Sequence, residues 1–422
     1  MEWVEAIILI ISFFLLLGIG VPIAFSIGIA SQITILLTIE SVPALTTLAQ
    51  QMATSLDSFT LLAIPFFILA GQFMNHGGIA DRLIAFAKSI FGSIPGGLAF
   101  VNIISCMLFG AISGSAVAAA SAIGGFMSPM MEKEGYDRPF SAAVNISSAT
   151  TGLIIPPSNI LIVYSLASGG ISIGALFLAG YIPGLLMGLS LMALASIFSI
   201  YKQFPRSERT KISNVVKSFL SALPSLFMLI LVVGGIIAGL FTATEASAIS
   251  VIYAMILSFF YKEISVGDLS DIFLETIKIS SIVLFLIATS MSMSWVMSYE
   301  DLPSLINEII LGFSDNPIII ILIINAILLL VGVFMDMTPA VLIFTPIFLP
   351  IVTATGMDPL HFGIMMIMNL CIGLCTPPVG SVLFVGCSIS NLKIEDVIKP
   401  LIPFFLVLLI VLLAVTFISF NL

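Results

Sequence analysis

Charged residues are scarce in this sequence: Asp, Glu, Lys and Arg together make up 8% of its 422 residues. A soluble domain carries about 25% charged residues, so this chain lacks the polar surface that water would solvate. Its 13 basic residues form no basic patch, which argues against a protein that binds nucleic acid. Apolar residues make up 60% of the chain, and this composition predicts an all-α polytopic membrane protein.

Residues that bind metals or act in catalysis are also few. The sequence has two histidines and four cysteines, and the cysteines all lie within apolar segments. Cys371 and Cys375 are spaced to share a helix face, but no histidine or carboxylate accompanies them, so apolar packing is favoured over a metal site. The sequence has neither HExxH nor a GxSxG arrangement with its catalytic partners, so we expect no enzyme and no organic cofactor.

Ten apolar stretches can be interpreted as membrane spans, since a helix needs about 20 residues to cross a bilayer. They lie at residues 4–21, 22–39, 58–75, 138–168, 174–200, 218–241, 245–262, 279–298, 361–390 and 400–420. Two further stretches, 98–131 and 317–353, are interrupted by SGSA at 113–116 and by DMTP at 336–339. We interpret each as a re-entrant hairpin of two short helices. One long tilted helix, or two full spans, is the alternative.

The distribution of basic residues favours the hairpins. If the N-terminus is periplasmic and both hairpins return to the side they entered, all 13 Lys and Arg residues are cytoplasmic. They include Arg206 and Arg209 of the hydrophilic central loop. The charged residues of the predicted outer loops are then all acidic: Glu40, Asp57, Glu300, Asp301, Glu308, Asp315 and Asp358. With ten spans, the C-terminus is periplasmic as well.

The chain contains an internal repeat. Pro156-Pro157 recurs as Pro377-Pro378, 221 residues later. The same offset relates Gly18 to Gly239, Ser26 to Ser247, Pro129 to Pro350, Gly135 to Gly356, Asp137 to Asp358, Gly152 to Gly373, and Ser115 to Asp336. Each half holds five spans, and because five is odd the second half enters from the opposite face. This predicts an inverted repeat, as in many secondary transporters, with halves at 1–201 and 217–422 and a cytoplasmic linker at 202–216.

Inversion brings the two hairpin tips and the two proline breaks, which interrupt 138–168 and 361–390, to a similar depth. A broken helix frees carbonyl groups, which suit a hard cation such as Na⁺, and amide groups at half-helix N-termini, which suit a carboxylate. Neutral oxygen ligands are added by the hydroxyls of Ser113, Ser115, Ser158, Thr338 and Thr376. Since we expect no Lys or Arg at this depth, a bound anion would depend on helix dipoles and co-bound cations.

Two acidic residues remain inside apolar segments. Asp336 lies at the predicted second hairpin tip, and because carboxylates within a membrane are costly we expect it to serve the ion or substrate site. The alternative is that Asp336 caps the helix starting at Thr338. Glu245 follows Thr242 by three residues, which favours a helix cap over a role in an ion path.

Five motifs together carry a resemblance that covers essentially the whole chain. They are LLAIPFFILAG (61–71), SGSAVA (113–118), GLIIPPSN (152–159), GLFTATEASA (239–248) and GLCTPPVG (373–380). The chain resembles the large membrane (M) subunit, DctM-like, of the tripartite ATP-independent periplasmic (TRAP) transporters. It departs from the family pattern at Ala243, where the family usually has proline.

The resemblance implies a Na⁺-coupled importer in the bacterial inner membrane with an elevator motion. It implies two partners, which are a small four-helix (Q-type) membrane subunit and a periplasmic (P-type) binding protein. The binding protein would deliver a C4-dicarboxylate, a sialic acid or another carboxylate. The alternative is a stand-alone dicarboxylate/sodium symporter that needs no binding protein. The implied ion and substrate sites are Ser113, Gly114, Ser115, Pro156 and Ser158 in one half, and Asp336, Thr338, Gly373, Thr376 and Pro378 in the other.

In the implied elevator, the hairpins and broken helices move as one body against a fixed scaffold. We expect the scaffold to consist of residues 4–39, 174–200, 218–262 and 400–420. Two amphipathic segments, 80–91 and 269–278, are candidates for arms that lie along the membrane surface between the two bodies. Ordinary loop helices are the alternative.

Overall fold

The computed structural model describes residues 2–94, 96–204, 211–314 and 316–418. All the regular structure in these ranges is helical. Eight helical segments are long and apolar enough to cross a bilayer, and a bent pair can form a ninth span. Part of the predicted linker, including Arg206 and Arg209, lies outside the described residues, as does Asp315.

The first half begins with two packed helices and ends in a long one. In chain order, its helices are α1 Glu2–Gly18, α2 Ile23–Ile35, α3 Ser41–Leu56, α4 Ala63–His76, α5 Ile79–Phe91, α6 Gly97–Ser113, α7 Ala116–Lys133, α8 Arg138–Ala149, α9 Asn159–Ala167 and α10 Ile173–Tyr201. Short 3₁₀ turns at Phe59–Leu62 and Thr151–Ile154 precede α4 and follow α8.

The second half repeats this order. Its helices are α11 Ile212–Ile237, α12 Ala243–Phe260, α13 Leu269–Tyr299, α14 Leu302–Phe313, α15 Pro317–Phe334, α16 Met337–Ala354, α17 Pro359–Leu374, α18 Ser381–Ser390 and α19 Ile394–Phe417. When 221 is added to the residue numbers of α5 to α10, the resulting ranges agree with those of α14 to α19 to within a few residues. The repeat in the sequence therefore corresponds to a repeat in the order of the helices.

The two interrupted stretches form helical hairpins. α6 and α7 pack together and are joined by only Gly114 and Ser115. α15 and α16 likewise meet across Met335 and Asp336. α6 ends at Gly114, which has a left-handed backbone conformation (φ +64°). This conformation favours glycine.

The proline pairs break two helices. The axis of the α8 segment, including its 3₁₀ turn, bends by 52° into α9 across the break at residues 155–158. The corresponding break separates α17 from α18 at residues 375–380. In both breaks the bond between the two prolines is cis.

Three elements differ from the sequence prediction. α3 is not among the predicted spans, because its sequence mixes Ser, Thr and Gln with apolar residues. Residues 269–278 form the first turns of the continuous helix α13 and not a separate arm, because no glycine or proline interrupts them. The helix that corresponds to α5 is α14, which lies where the sequence predicts an outer loop.

Helix packing divides the described chain into two groups. α2, α3 and α4 each pack on α13, α4 also packs on α12, and α1 packs on α2, while α11 packs on α12 and α5. The hairpins and broken helices form the second group. Helices α10 and α19, which we expected on the scaffold with 174–200 and 400–420, pack mainly on each other and on members of this second group.

Candidate functional site

Both hairpin tips and the first residues of both post-break helices line one cavity of about 450 Å³. Its polar lining consists of Ser113, Gly114, Ser115, Asn159, Asp336, Thr338 and Ser381. The length of α15 and α16 alone does not distinguish a hairpin from two full spans. Their tip lies in the same internal cavity as the α6–α7 tip, which favours the hairpin.

The first tip is held by backbone and side-chain hydrogen bonds. Ser115 is the N-cap of α7, and its hydroxyl accepts a hydrogen bond from the amide of Ala118 at 3.2 Å. The side chain of Asn159, at the start of α9, packs on Gly114: a Cβ added to Gly114 would lie 2.5 Å from Asn159 Nδ2. This close contact and the left-handed backbone of Gly114 both favour glycine at the tip.

At the second tip, a charged residue caps the N-terminus of the second hairpin helix. Asp336 is the N-cap of α16, and its Oδ1 accepts a hydrogen bond from the amide of Met337 at 2.9 Å. Its side chain is also exposed and lines the cavity. Asp336 therefore caps α16 and also belongs to the candidate site. The equivalent position of the first half holds the neutral cap Ser115.

The predicted residues within the breaks have different positions. Pro156, Ser158, Gly373, Thr376 and Pro378 are not among the residues that line this cavity. The Ser158 hydroxyl donates to the carbonyl of Leu153, and the Thr376 hydroxyl donates to the carbonyl of Ile372 at 2.7 Å. These side chains satisfy carbonyl groups at the break and so shape the backbone around the cavity.

Sequence reasoning missed two of the polar lining residues, Asn159 and Ser381. Both are the first residue of a post-break helix, so the end of each proline motif was the signal that could have identified them. The Oδ1 atom of Asn159 is buried and has no hydrogen-bond partner among the described residues. Eleven buried side-chain polar atoms have no partner among the described residues, and Asn159 is the one residue of this set that lines the cavity.

Helix ends determine the electrostatics of the cavity. The N-termini of α7, α9, α16 and α18 meet there, and the partial positive charge of these ends favours an anion. The last residues of α6 and α17, Ser113 and Leu374, also line the cavity and bring partial negative charge. Asp336 is the only charged side chain among the described lining residues. The helix N-termini in the cavity therefore suit an anion, and the helix C-termini and Asp336 suit a cation.

The wall that faces the tips is aliphatic. Ile64 and Ile68 come from α4, and Ile279, Ile282 and Val283 come from α13. Both helices belong to the first packing group, whereas the tips belong to the second. The cavity therefore lies at the boundary between the two groups of helices.

Glu245 has the capping role that its spacing predicted. Its carboxylate accepts a hydrogen bond from the backbone amide of Thr242 at 2.8 Å, and the Thr242 hydroxyl accepts one from the amide of Glu245 at 3.2 Å. Glu245 does not line the cavity. The described residues contain no group of three or more His, Cys, Asp or Glu side chains that could hold a metal ion.

The sequence is similar to known transport proteins over nearly its whole length. A family model described as the tripartite ATP-independent periplasmic transporter, DctM component, matches residues 10–420. The protein YgiK of Salmonella typhimurium is 55% identical over 411 residues, which cover 97% of this chain and 94% of that protein. The large permease protein DctM of a C4-dicarboxylate TRAP transporter from Pseudomonas aeruginosa is 38% identical, over 93% of this chain and 92% of that protein.

A longer relative and a solved structure complete the comparison. The isethionate TRAP transporter permease protein DctMQ of Oleidesulfovibrio alaskensis is 41% identical over 96% of this chain, which spans only 64% of that relative's length. The crystal structure of the YdaH transporter of Alcanivorax borkumensis superposes with a TM-score of 0.65, covering 90% of this chain and 89% of that one. At 12% identity, this likeness concerns the fold alone.

Proposed function

Since the chain belongs to the DctM component family of the tripartite ATP-independent periplasmic transporters, we propose that it is the translocating subunit of a Na⁺-coupled importer of an organic acid. The family consists of transporter permeases and is not an enzyme class. The observation that carries the proposal is the shared cavity, which joins both hairpin tips and both post-break helices.

The donor atoms of the cavity suit Na⁺ as the co-transported ion. The hydroxyls of Ser113, Ser115 and Thr338, the carboxylate of Asp336 and the amide oxygen of Asn159 are all hard oxygen ligands. The unpartnered Oδ1 of Asn159 is consistent with a bound cation or a hydrogen-bond donor, because an amide oxygen accepts but cannot donate. In this proposal Na⁺ neutralises part of the substrate's charge, so the two bind together.

An elevator motion is supported by the position of the cavity between the two packing groups. The hairpins, the broken helices, α10 and α19 form the moving body of this proposal, and α1 to α4 with α11 to α13 form the scaffold. The arms α5 and α14 connect the two bodies in sequence. α5 is held to the scaffold side by Arg82, whose guanidinium lies 3.3 Å from Glu263 and 3.7 Å from the centre of the Tyr261 ring.

Two protein partners complete the proposed system. A periplasmic binding protein delivers the acid, and a small four-helix membrane subunit covers part of the scaffold, either as a separate chain or fused. The protein lies in the inner membrane, with both termini on the periplasmic side, because that topology places the basic residues in the cytoplasm.

Reconstituted vesicles test the proposal. An inward Na⁺ gradient should drive uptake of the organic acid held by the binding protein, without ATP and only when binding protein is added. Uptake that requires ATP would contradict the proposal. Na⁺-driven uptake that is independent of any binding protein would support the stand-alone symporter.

A further inference from the structure

The aliphatic wall of the cavity restricts the kind of acid that fits. Five branched aliphatic side chains of α4 and α13 face the tips, and they offer no hydrogen-bond donor or acceptor. Val117, Ile160 and Val163 on the tip side are aliphatic as well. A substrate in this cavity therefore meets polar groups at the tips and hydrocarbon elsewhere.

The few polar side chains are partly engaged within the protein. The hydroxyl of Ser115 accepts from Ala118, and one carboxylate oxygen of Asp336 accepts from Met337. A polyhydroxylated acid would place several hydroxyl groups against the aliphatic wall, and each hydroxyl that loses water without a new partner opposes binding.

A second carboxylate on the substrate meets a similar difficulty. The described lining contains no Lys, Arg or His, so positive charge comes only from helix N-termini and from co-bound cations. All four of these N-termini belong to the tip side of the cavity. A carboxylate directed at the wall of Ile64, Ile68 and Ile282 would be desolvated and without a partner.

We propose that the acid carried by this protein is a monocarboxylate with a short aliphatic tail. Its carboxylate lies at the helix N-termini beside the tips, and its tail lies against α4 and α13. This inference rests on the proposed function, because it specifies the substrate class of the same cavity.

Three acids with the same six-carbon chain test the inference: hexanoate, gluconate and adipate. They differ only in hydroxyl groups and in the second carboxylate. Binding of each radiolabelled acid to the purified full-length protein is measured in Na⁺ and, as a control, in choline. Hexanoate should bind in Na⁺, and gluconate should bind at least about 100-fold more weakly, since about 100-fold is the discrimination expected from a single added hydroxyl in an apolar pocket. Adipate should also bind more weakly than hexanoate.

A change in the wall provides the second measurement. Ile282→Ser should weaken hexanoate binding and reduce the ratio of the affinity for hexanoate to the affinity for gluconate. Ile277→Ser is the matched control, because Ile277 is exposed on the same helix and does not line the cavity. It should leave the preference unchanged.

Each outcome separates this inference from the proposed function. Na⁺-dependent binding that favours gluconate or adipate would overturn the aliphatic monocarboxylate while leaving Na⁺-coupled carboxylate transport intact. Hexanoate binding that is equal in Na⁺ and choline would support the substrate class and contradict sodium coupling. Failure of all three acids to bind would contradict the inference, while vesicle uptake with the binding protein still tests the proposed function.

Discussion

Gly332 of α15 lies so close to Gly373 of α17 that a Cβ added to Gly373 would be 2.5 Å from the Cα of Gly332. Gly110 and Gly152 stand in the same relation in the first half, where a Cβ on Gly152 would be 2.6 Å from the Cα of Gly110. In both halves, the first helix of the hairpin thus meets the broken helix backbone to backbone, just before the break. These contacts fix the position of each tip relative to each break.

Alanine at these glycines should separate hairpin and broken helix. Gly373→Ala or Gly152→Ala forces a backbone shift, and overpacking of this kind costs about 1–3 kcal/mol. We expect a lower unfolding temperature in detergent and reduced uptake in vesicles. The matched control is Gly125→Ala on α7, where an added Cβ meets nothing within 4 Å. An unfolding temperature equal to that of the control would contradict the close contact.

Asn159 should contribute to cation affinity. Its buried Oδ1 has no partner among the described residues, so removing it takes away a ligand without breaking an internal hydrogen bond. Asn159→Ala should raise the Na⁺ concentration for half-maximal uptake about tenfold, the effect of losing roughly 1.4 kcal/mol of a polar contact. Gln50→Ala, on the exposed face of α3, should leave the Na⁺ dependence unchanged. An unaltered Na⁺ requirement in Asn159→Ala would exclude this side chain as a ligand.

The tips should change their accessibility together. In a background in which the four native cysteines are replaced by alanine, Ser115→Cys and Thr338→Cys place thiols at the two tips. Because both tips line one cavity, Na⁺ should change the rate of labelling by a membrane-impermeant maleimide at both positions. Thr46→Cys, exposed on α3, serves as the constant reference. Labelling of both tip thiols at a rate that Na⁺ does not affect would count against moving tips.

Interruptions of the apolar stretches predicted the hairpins and the breaks, and the distribution of basic residues supported the hairpins. Gly114 and Asp336 interrupt apolar stretches, and consecutive prolines cannot continue a helix. The offset of 221 residues then predicted the equivalence of the two halves. The equivalence of α14 and α5 was also available from this offset, but the acidic residues around α14 obscured it.

Packing between distant helices could not be predicted in the same way. α10 and α19 are apolar on all sides, so their composition is equally consistent with either group of helices. Their partners are decided by complementary surfaces on the broken helices, which lie far away in sequence. For the same reason, no local sequence pattern indicates that Ile64 and Ile282 face the tips across one cavity.

Asp336 allows charge and helix capping to be tested separately. Asn is as good an N-cap as Asp, so Asp336→Asn retains a side-chain oxygen for the amide of Met337 and keeps the start of α16. It removes the only charged side chain among the described cavity lining. We therefore expect normal membrane insertion and an unfolding temperature close to that of the original protein, but loss of Na⁺-driven uptake.

The matched control for this change is Glu245→Gln. Glu245 is the other carboxylate within an apolar segment, and it too accepts a hydrogen bond from a backbone amide at a helix start. Because Gln can replace Glu in a capping box and Glu245 lies outside the cavity, uptake should persist in this variant. Loss of uptake in both variants would point to a general cost of removing a carboxylate charge from an apolar segment. Full uptake in Asp336→Asn would remove Asp336 from the ion site and leave it only the capping role, since the neutral side chain would then suffice.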